Sequence, residues 1–137
     1  MNAARELGPA AVALSAGLHY HAVPLRDRHD QDLAAHLDGA FSFIRRARSA
    51  GGRVLVYCRR GISRSASIVI AYLMVDQGRA YDEALGFVRE RRSCVSPNLA
   101  FHARLTEFGA DAEWYQRRRE DGPGGIPPSA AKDENRG

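Results

Sequence analysis

A cysteine and an arginine stand six positions apart around a glycine in Tyr57-Cys58-Arg59-Arg60-Gly61-Ile62-Ser63-Arg64-Ser65. The apolar run Val54-Leu55-Val56 precedes this segment, and Ile68-Val69-Ile70-Ala71-Tyr72-Leu73-Met74 follows it. The pattern predicts a buried strand, a tight loop, and a helix whose N-terminus opens at the loop. Free backbone N–H groups and the positive end of a helix dipole converge at such a junction. It therefore suits a tetrahedral oxyanion, and here a thiol lies at its centre.

A phosphate ester carries negative charge that repels an attacking anion unless the site neutralises it. The amides of a curled loop, residues 59–64, form a nest that does so without side chains. Gly61 lets the backbone curl where a Cβ would clash. Arg64 offers a planar fork to two phosphoryl oxygens at once. The same positive field favours the thiolate of Cys58, its nucleophilic form. The hydroxyl of Ser65 is placed to donate to the sulfur when it leaves in a second step. Of the 20 basic residues all but Lys132 are arginine, so a cysteine and an arginine at this spacing mean little alone. The strand before, the glycine inside, the Ser-Arg-Ser ending and the helix after give the match its meaning. Without that context, Cys58 reads as a buried strand-end cysteine among solvated arginines.

The chain has 137 residues and a formal net charge of +4, which fits one domain with terminal extensions. No segment reaches the length of a membrane span, and no basic stretch followed by an apolar core opens the chain as a secretory signal would. Two cysteines in unlike contexts do not form a disulfide framework, and a working thiolate needs a reducing compartment. A cytoplasmic setting, with the nucleus as the alternative, follows. A nucleic-acid surface would interleave aromatics with basic residues on one face. Arg45, Arg46, Arg48, Arg89, Arg91 and Arg92 instead fall on predicted helices, where solvated arginines are the default.

Along the chain, residues 1–9 read as an N-terminal remnant, helical or frayed. Residues 10–15 read as a short buried strand and 19–25 as a strand near a sheet edge, because Pro24 has no N–H to give. Leu33, Leu37, Phe41 and Ile44 fall at helical spacing, and Gly51-Gly52 ends that helix. Residues 53–57 form the predicted central strand. Helices are predicted over 63–77, closed by Gly78, over 80–92, and over 98–119 after Pro97. Residues 10–119 make the catalytic domain, and 120–137 a disordered tail of glycine, proline and charge. Strands separated by helices give an α/β class, with a small, mostly parallel sheet flanked by helices. Ligands then bind beyond the carboxyl ends of the strands, where Cys58 sits and Asp27 also reaches.

The cysteine loop resembles the signature loop of protein tyrosine phosphatases, and its Gly-Ile-Ser-Arg-Ser ending is similar to the dual-specificity branch. The resemblance runs from about Ala11 to Glu113. Pro24-Leu25-Arg26-Asp27 resembles the loop carrying the family's general acid, 31 positions before Cys58. Asp32-Leu33 with 40–44, the strand 51–56, and Ser96-Pro97-Asn98 with Phe101 and Leu105 match further family segments. The resemblance implies a phosphatase-like fold and a two-step phosphatase, with Cys58 as nucleophile, Arg64 as phosphate clamp and Asp27 as general acid. Asp30 and Asp32 compete for that last role. Ser65 assists breakdown of the intermediate, while Arg59, Arg60, Gly61, Ile62, Ser63 and Arg64 bind the phosphate. It implies no metal, no cofactor, no nucleic acid and no membrane partner. Substrates are phosphotyrosine and phosphoserine or phosphothreonine on proteins.

Two departures stand out. Histidine normally precedes the cysteine in this family, and here Tyr57 does, which adds no positive charge. The family's usual N-terminal strands are expected to be lacking before residue 10, which would leave one side of the sheet exposed. Both features favour a low-activity, phosphate-binding pseudophosphatase as the alternative. A lipid or RNA phosphatase is disfavoured by the Ser-Arg-Ser ending and a loop without lysine, and a sulfurtransferase would need neither Asp27 nor Ser65. His19 and His21 alternate on a strand without a third ligand at metal-site spacing. Cys94 is a possible resolving thiol for oxidised Cys58, or else a packed connector. Asn98 is expected to cap a helix or tie a loop to the site.

Overall fold

A computed structural model describes residues 1–5, 7, 15–109 and 112. Among the described residues four helices build the core: α1 (Ala34–Ser49), α2 (Arg64–Gln77), α3 (Tyr81–Arg91) and α4 (Leu99–Glu107). Each starts or stops within a few residues of the boundary its sequence predicts. The exception is the end of α4, whose expected continuation to residue 119 lies largely outside the described residues. The disordered tail over 120–137 lies wholly outside them, and of the strand expected at 10–15 only Ser15 is described, exposed and not extended.

Helix α1 buries Leu37, Ala40, Phe41 and Ile44 on one face. Asp32 starts it by accepting hydrogen bonds from the amides of Ala34 (2.9 Å) and Ala35 (3.3 Å). Its last turn carries Arg46 and Arg48 near the negative end of the dipole, and Gly51 turns the chain away at φ 74°. Helix α2 is apolar nearly all round, so it occupies the centre. Ile68, Ile70, Ala71, Met74 and Val75 are fully enclosed, and α1, α3 and α4 all pack against it. Gly78 stops it in the left-handed region at φ 65°. Arg48 links α1 to α2 through the Tyr72 hydroxyl (3.2 Å) and Asp76 (2.9 Å). Phe41 packs edge-on to Tyr72, with Phe108 beyond it. These contacts anchor the middle and end of α2 in a close-packed interior, and through its rigid axis they fix the cysteine loop at its start.

The opposite side of the core departs from the sequence reading. Residues 1–4 are neither helical nor frayed. Asn2 and Ala3 are buried, and this short stretch runs between the extended segments at 20–25 and 53–58. Asn2 forms parallel bridges to Ala22 on one side and Tyr57 on the other. Backbone bonds run from Asn2 N–H to His21 O (2.9 Å), Val23 N–H to Asn2 O (2.7 Å), Ala3 N–H to Tyr57 O (2.7 Å) and Tyr57 N–H to Met1 O (3.0 Å). Among the described residues, the central position expected for residues 53–57 is held by residues 1–4. The strand directions are parallel as expected, but the described residues hold two isolated bridges and no continuous ladder. The physical reason is length: a four-residue stretch can form only a pair or so of bonds on each side, and Pro24 donates none. The Asn2 side chain closes this region, accepting from Ala4 N–H (3.0 Å) and donating to Tyr20 Oη (3.0 Å) and Leu7 O.

Candidate active site

Cys58 ends the extended segment at 53–58, and α2 begins six residues later at Arg64. Between them Gly61 takes φ 66°, a left-handed value that a side chain would resist. The loop curls around the half-buried sulfur. Ser65 Oγ lies 3.2 Å from Cys58 Sγ. Burial alone pushes the thiol up, yet the net direction is down. The Ser65 hydroxyl and the amides of Ser65, Gly61 and Arg60 all bond the sulfur and favour its anion. Donors from the loop and from Ser65 thus face the sulfur and favour its anion.

Every carbonyl on the back of the loop from Arg60 to Ser63 has a partner. Arg92 Nε donates to Gly61 O (2.8 Å) and its Nη2 to Arg60 O (3.1 Å). Ser96 N–H donates to Ile62 O (2.9 Å). Ser67 donates to Ser63 O through both its amide and its hydroxyl, each at 2.8 Å. The connector that supplies Ser96 is itself held by Arg89 Nε on Val95 O (2.9 Å).

A cavity of about 720 Å³ opens over the loop, lined by Cys58, Ile62, Ser63 and Arg64 below and by Arg26, Asp27, Arg28, Arg59, Arg60, Ser96 and Asn98 around it. Gly61 and Ser65 line an adjoining hollow of about 460 Å³, which Cys58 also reaches. Arg64 is buried and its Nη1 donates to Leu25 O (3.2 Å), two residues before Asp27. The guanidinium thus links the loop to the segment carrying the aspartate. Of the three candidate aspartates only Asp27 lines the cavity. Asp32 is occupied in starting α1, and Asp30 pairs with Arg28 at 3.3 Å on the surface. Asp27 Oδ1 accepts from Asn98 Nδ2 (2.8 Å). Asn98 also accepts from Phe101 N–H (2.9 Å) as the N-cap of α4, and its own N–H donates to Ser63 Oγ (2.9 Å). One residue therefore joins the aspartate loop, the cysteine loop and a helix start.

Tyr57 points elsewhere. Its phenol bonds Tyr20, and burial with that neighbour pushes its pKa up. It belongs to the cluster of Tyr20 and Asn2, not to the thiol. Cys94 is exposed, not packed, and does not line the cavity. His21 stacks on Phe43 at 5.2 Å, and His102 bonds the Tyr81 hydroxyl at 2.8 Å, as ordinary structural histidines. Among the described residues no three of His, Cys, Asp and Glu converge as a metal site, and no helix is long and apolar enough to cross a membrane. Sequence reasoning missed Arg92, taken for a solvated helix arginine, and the contributions of Arg26 and Arg28 to the rim. The latter pair was visible as Arg26-Asp27-Arg28, an acid bracketed by two cations.

Comparison with known proteins agrees with this geometry. A family model described as dual specificity phosphatase, catalytic domain, matches residues 1–111. Human dual specificity protein phosphatase 1 is 45% identical over 89 residues, 65% of this chain and 24% of that protein. Human dual specificity protein phosphatase 5 is 40% identical over 99 residues, 72% of this chain and 26% of that protein. The crystal structure of DUSP15 superposes with a TM-score of 0.80 at 29% identity, covering 90% of this chain and 77% of that one. The chain belongs to the dual-specificity phosphatase family of the cysteine-dependent protein tyrosine phosphatase superfamily. It spans about a quarter of the length of the curated relatives it matches. The family match begins at Met1, not at Ala11, in keeping with the buried position of residues 1–4.

Proposed function

We propose that this domain hydrolyses phosphotyrosine and phosphoserine or phosphothreonine on proteins through a thiophosphate intermediate. The observation that carries the reading is Cys58 Sγ, ringed by the amides of Arg60, Gly61 and Ser65 with the Ser65 hydroxyl at 3.2 Å. In the first step the thiolate forms a bond to phosphorus while the ester P–O bond breaks. Asp27 gives its proton to the departing oxygen. The loop amides and the Arg64 fork carry the charge on the equatorial oxygens. In the second step water attacks the phosphocysteine and gives a proton to Asp27. The P–S bond breaks, the thiolate departs under the Ser65 hydroxyl, and inorganic phosphate leaves with the starting enzyme restored.

The cavity, about 720 Å³, is ample for aryl and short alkyl phosphoesters alike, which supports dual specificity. Arg26, Arg28, Arg59 and Arg60 around its mouth, with Asp27 the sole acid in the lining, favour phosphoproteins with acidic neighbours. The need to keep Cys58 reduced supports a cytosolic or nuclear setting.

The test is turnover of para-nitrophenyl phosphate and of phosphotyrosine and phosphothreonine peptides, with vanadate inhibition. Cys58→Ser abolishes turnover, and Asp27→Asn slows the phosphothreonine peptide by about 10²–10⁴-fold, the usual worth of general acid catalysis. Vanadate binding without turnover by the unaltered chain would instead establish the pseudophosphatase reading. That second reading is favoured by Tyr57, whose phenol is spent on Tyr20, leaving the thiol without a neighbouring imidazolium. A solved relative of similar fold (TM-score 0.66, 36% identity over 68% of this chain and 62% of that one) is described as a tyrosine phosphatase-like serine/threonine/tyrosine-interacting protein.

A further inference from the structure

The proposed chemistry uses the inner face of the cysteine loop, but the outer face decides whether that inner face exists. A peptide unit is planar and trans, so its carbonyl and its N–H point in opposite directions. Holding the oxygen on one side aims the hydrogen to the other. The oxygens of Arg60 and Gly61 belong to the units that carry the N–H groups of Gly61 and Ile62. Both oxygens are held by one side chain, Arg92, at 3.1 and 2.8 Å. The guanidinium lies so close that a Cβ on residue 61 would stand 2.9 Å from Nη2. Gly61 itself sits at φ 66° and offers no steric preference of its own against flipping.

We infer that Arg92 is a positioning residue of the phosphate cradle: by gripping the outer carbonyls of Arg60 and Gly61 it aims the Gly61 amide at the sulfur and holds the amides of Gly61 and Ile62 ready for an incoming phosphoryl group. This rests on the reading of the loop as a cysteine-dependent phosphatase site. The grip is charge-assisted and two-pronged, which fixes both units together in a way one neutral donor cannot. A cation on the oxygen end also polarises each unit, making its N–H a stronger donor. The Gly61 amide, whose peptide unit Arg92 holds, is among the groups that draw the Cys58 thiol towards its anion, so loosening the grip acts on the nucleophile. Arg92 reaches this loop across 31 positions of sequence from the end of α3. Its neighbour Arg91 instead bonds Phe87 O (2.9 Å) and lies 3.6 Å over the Phe87 ring.

The test uses the full chain with Cys94→Ser, so that iodoacetamide reports Cys58 alone. Arg92→Met is expected to move the alkylation midpoint to higher pH and to weaken inhibition by inorganic phosphate by about 5–20-fold. Arg92→Lys, which keeps the charge but reaches one oxygen at a time, should recover part of the phosphate affinity. Arg91→Met should match the parent in both measurements. A purely structural role would lower the melting temperature without moving the midpoint. If Arg92→Met keeps the parental midpoint, or binds phosphate within twofold of the parent, the inference is overturned. Should Arg92→Met not fold, Arg92→Gln, with one neutral donor, takes its place under the same criteria. An ordinary cysteine profile and no phosphate binding in the parent itself would overturn the phosphatase reading first, which separates the two failures.

Discussion

Replacing Asn98 should split stability from chemistry. Its side chain does two jobs: Oδ1 accepts from Phe101 N–H at 2.9 Å to cap α4, and Nδ2 donates to Asp27 Oδ1 at 2.8 Å. Asn98→Ala loses both. Loss of an N-cap costs about 0.5–2 kcal/mol; at roughly 3–6 °C per kcal/mol for a domain of this size, that lowers the melting temperature by about 2–12 °C. Asp27 is neutral when it acts as the acid, so the tether counts as an ordinary net hydrogen bond, about 1–1.5 kcal/mol. Spent on orienting a general acid, that equals about 5–12-fold in rate. It remains well below the total of about 10²–10⁴ available from proton donation, as a positioning contact should. The assay is kcat/KM on a phosphothreonine peptide, whose alkoxide leaves poorly, beside para-nitrophenyl phosphate, whose phenolate leaves with little help. Asn98→Ala should slow the peptide by that factor and the aryl ester less than twofold. Asn98→Asp is as good a cap, so it should restore the melting temperature. It sets a carboxylate against Asp27, so it should leave the peptide slow. Equal slowing on both substrates, or recovery of the peptide rate in Asn98→Asp, would refute the tether.

Alkylation of Cys58 follows the thiolate fraction, so its rate rises with pH through a midpoint below that of an ordinary cysteine. Ser65→Ala removes the hydroxyl at 3.2 Å and should move that midpoint up; no movement would show the bond is unimportant. Because the folded thiol titrates below the unfolded one, its contribution to stability is complete above the unfolded value. That contribution fades as pH falls through the folded value, which unfolding of the parent beside Cys58→Ala across pH 6–10 should reveal. Tyr57→Phe should leave the alkylation midpoint in place, since the phenol bonds Tyr20; a shifted midpoint would return Tyr57 to the thiol's environment. Phe41→Ala, emptying a site enclosed by Tyr72 and Phe108, should cost about 3–5 kcal/mol in denaturant unfolding.

Much of the helical framework was legible because α1 and α2 announce themselves. Leu37, Phe41 and Ile44 repeat at helical spacing, and the run from Ile68 to Met74 is too apolar to lie anywhere but the centre. Residues 1–4 were not legible. Four residues are too few to show a period, and the small side chains of Ala3 and Ala4 carry little signal of burial. Their place between two extended segments is set by backbone bonds that any residue but proline can make. The direction of Tyr57 was hidden for a related reason. A phenol beside the cysteine in sequence can turn to either face, and the presence of Tyr20 and Asn2 across the bridge decides it.

The cysteine loop shows the same asymmetry at atomic scale. Reading inward from the chemistry finds Cys58, Gly61, Arg64 and Ser65, because a thiolate and a phosphoryl group demand donors. Amides that turn inward must turn their carbonyls outward, and buried carbonyls must be paired. The right further question of the sequence is therefore where the oxygens of residues 60–63 go. The answer is distributed over Arg92, Ser96 and Ser67, of which only Ser67 lies close in sequence. The arginines near the site thus divide by the face they serve. Arg64 is buried beneath the cavity, Arg26, Arg28, Arg59 and Arg60 surround its mouth, and Arg92 grips the back. An arginine behind a glycine-centred loop binds no substrate, yet it supplies the force that keeps the donors in front aligned. It should therefore respond to substitution through phosphate affinity and thiol reactivity together, whereas a rim arginine should change only the choice of substrate.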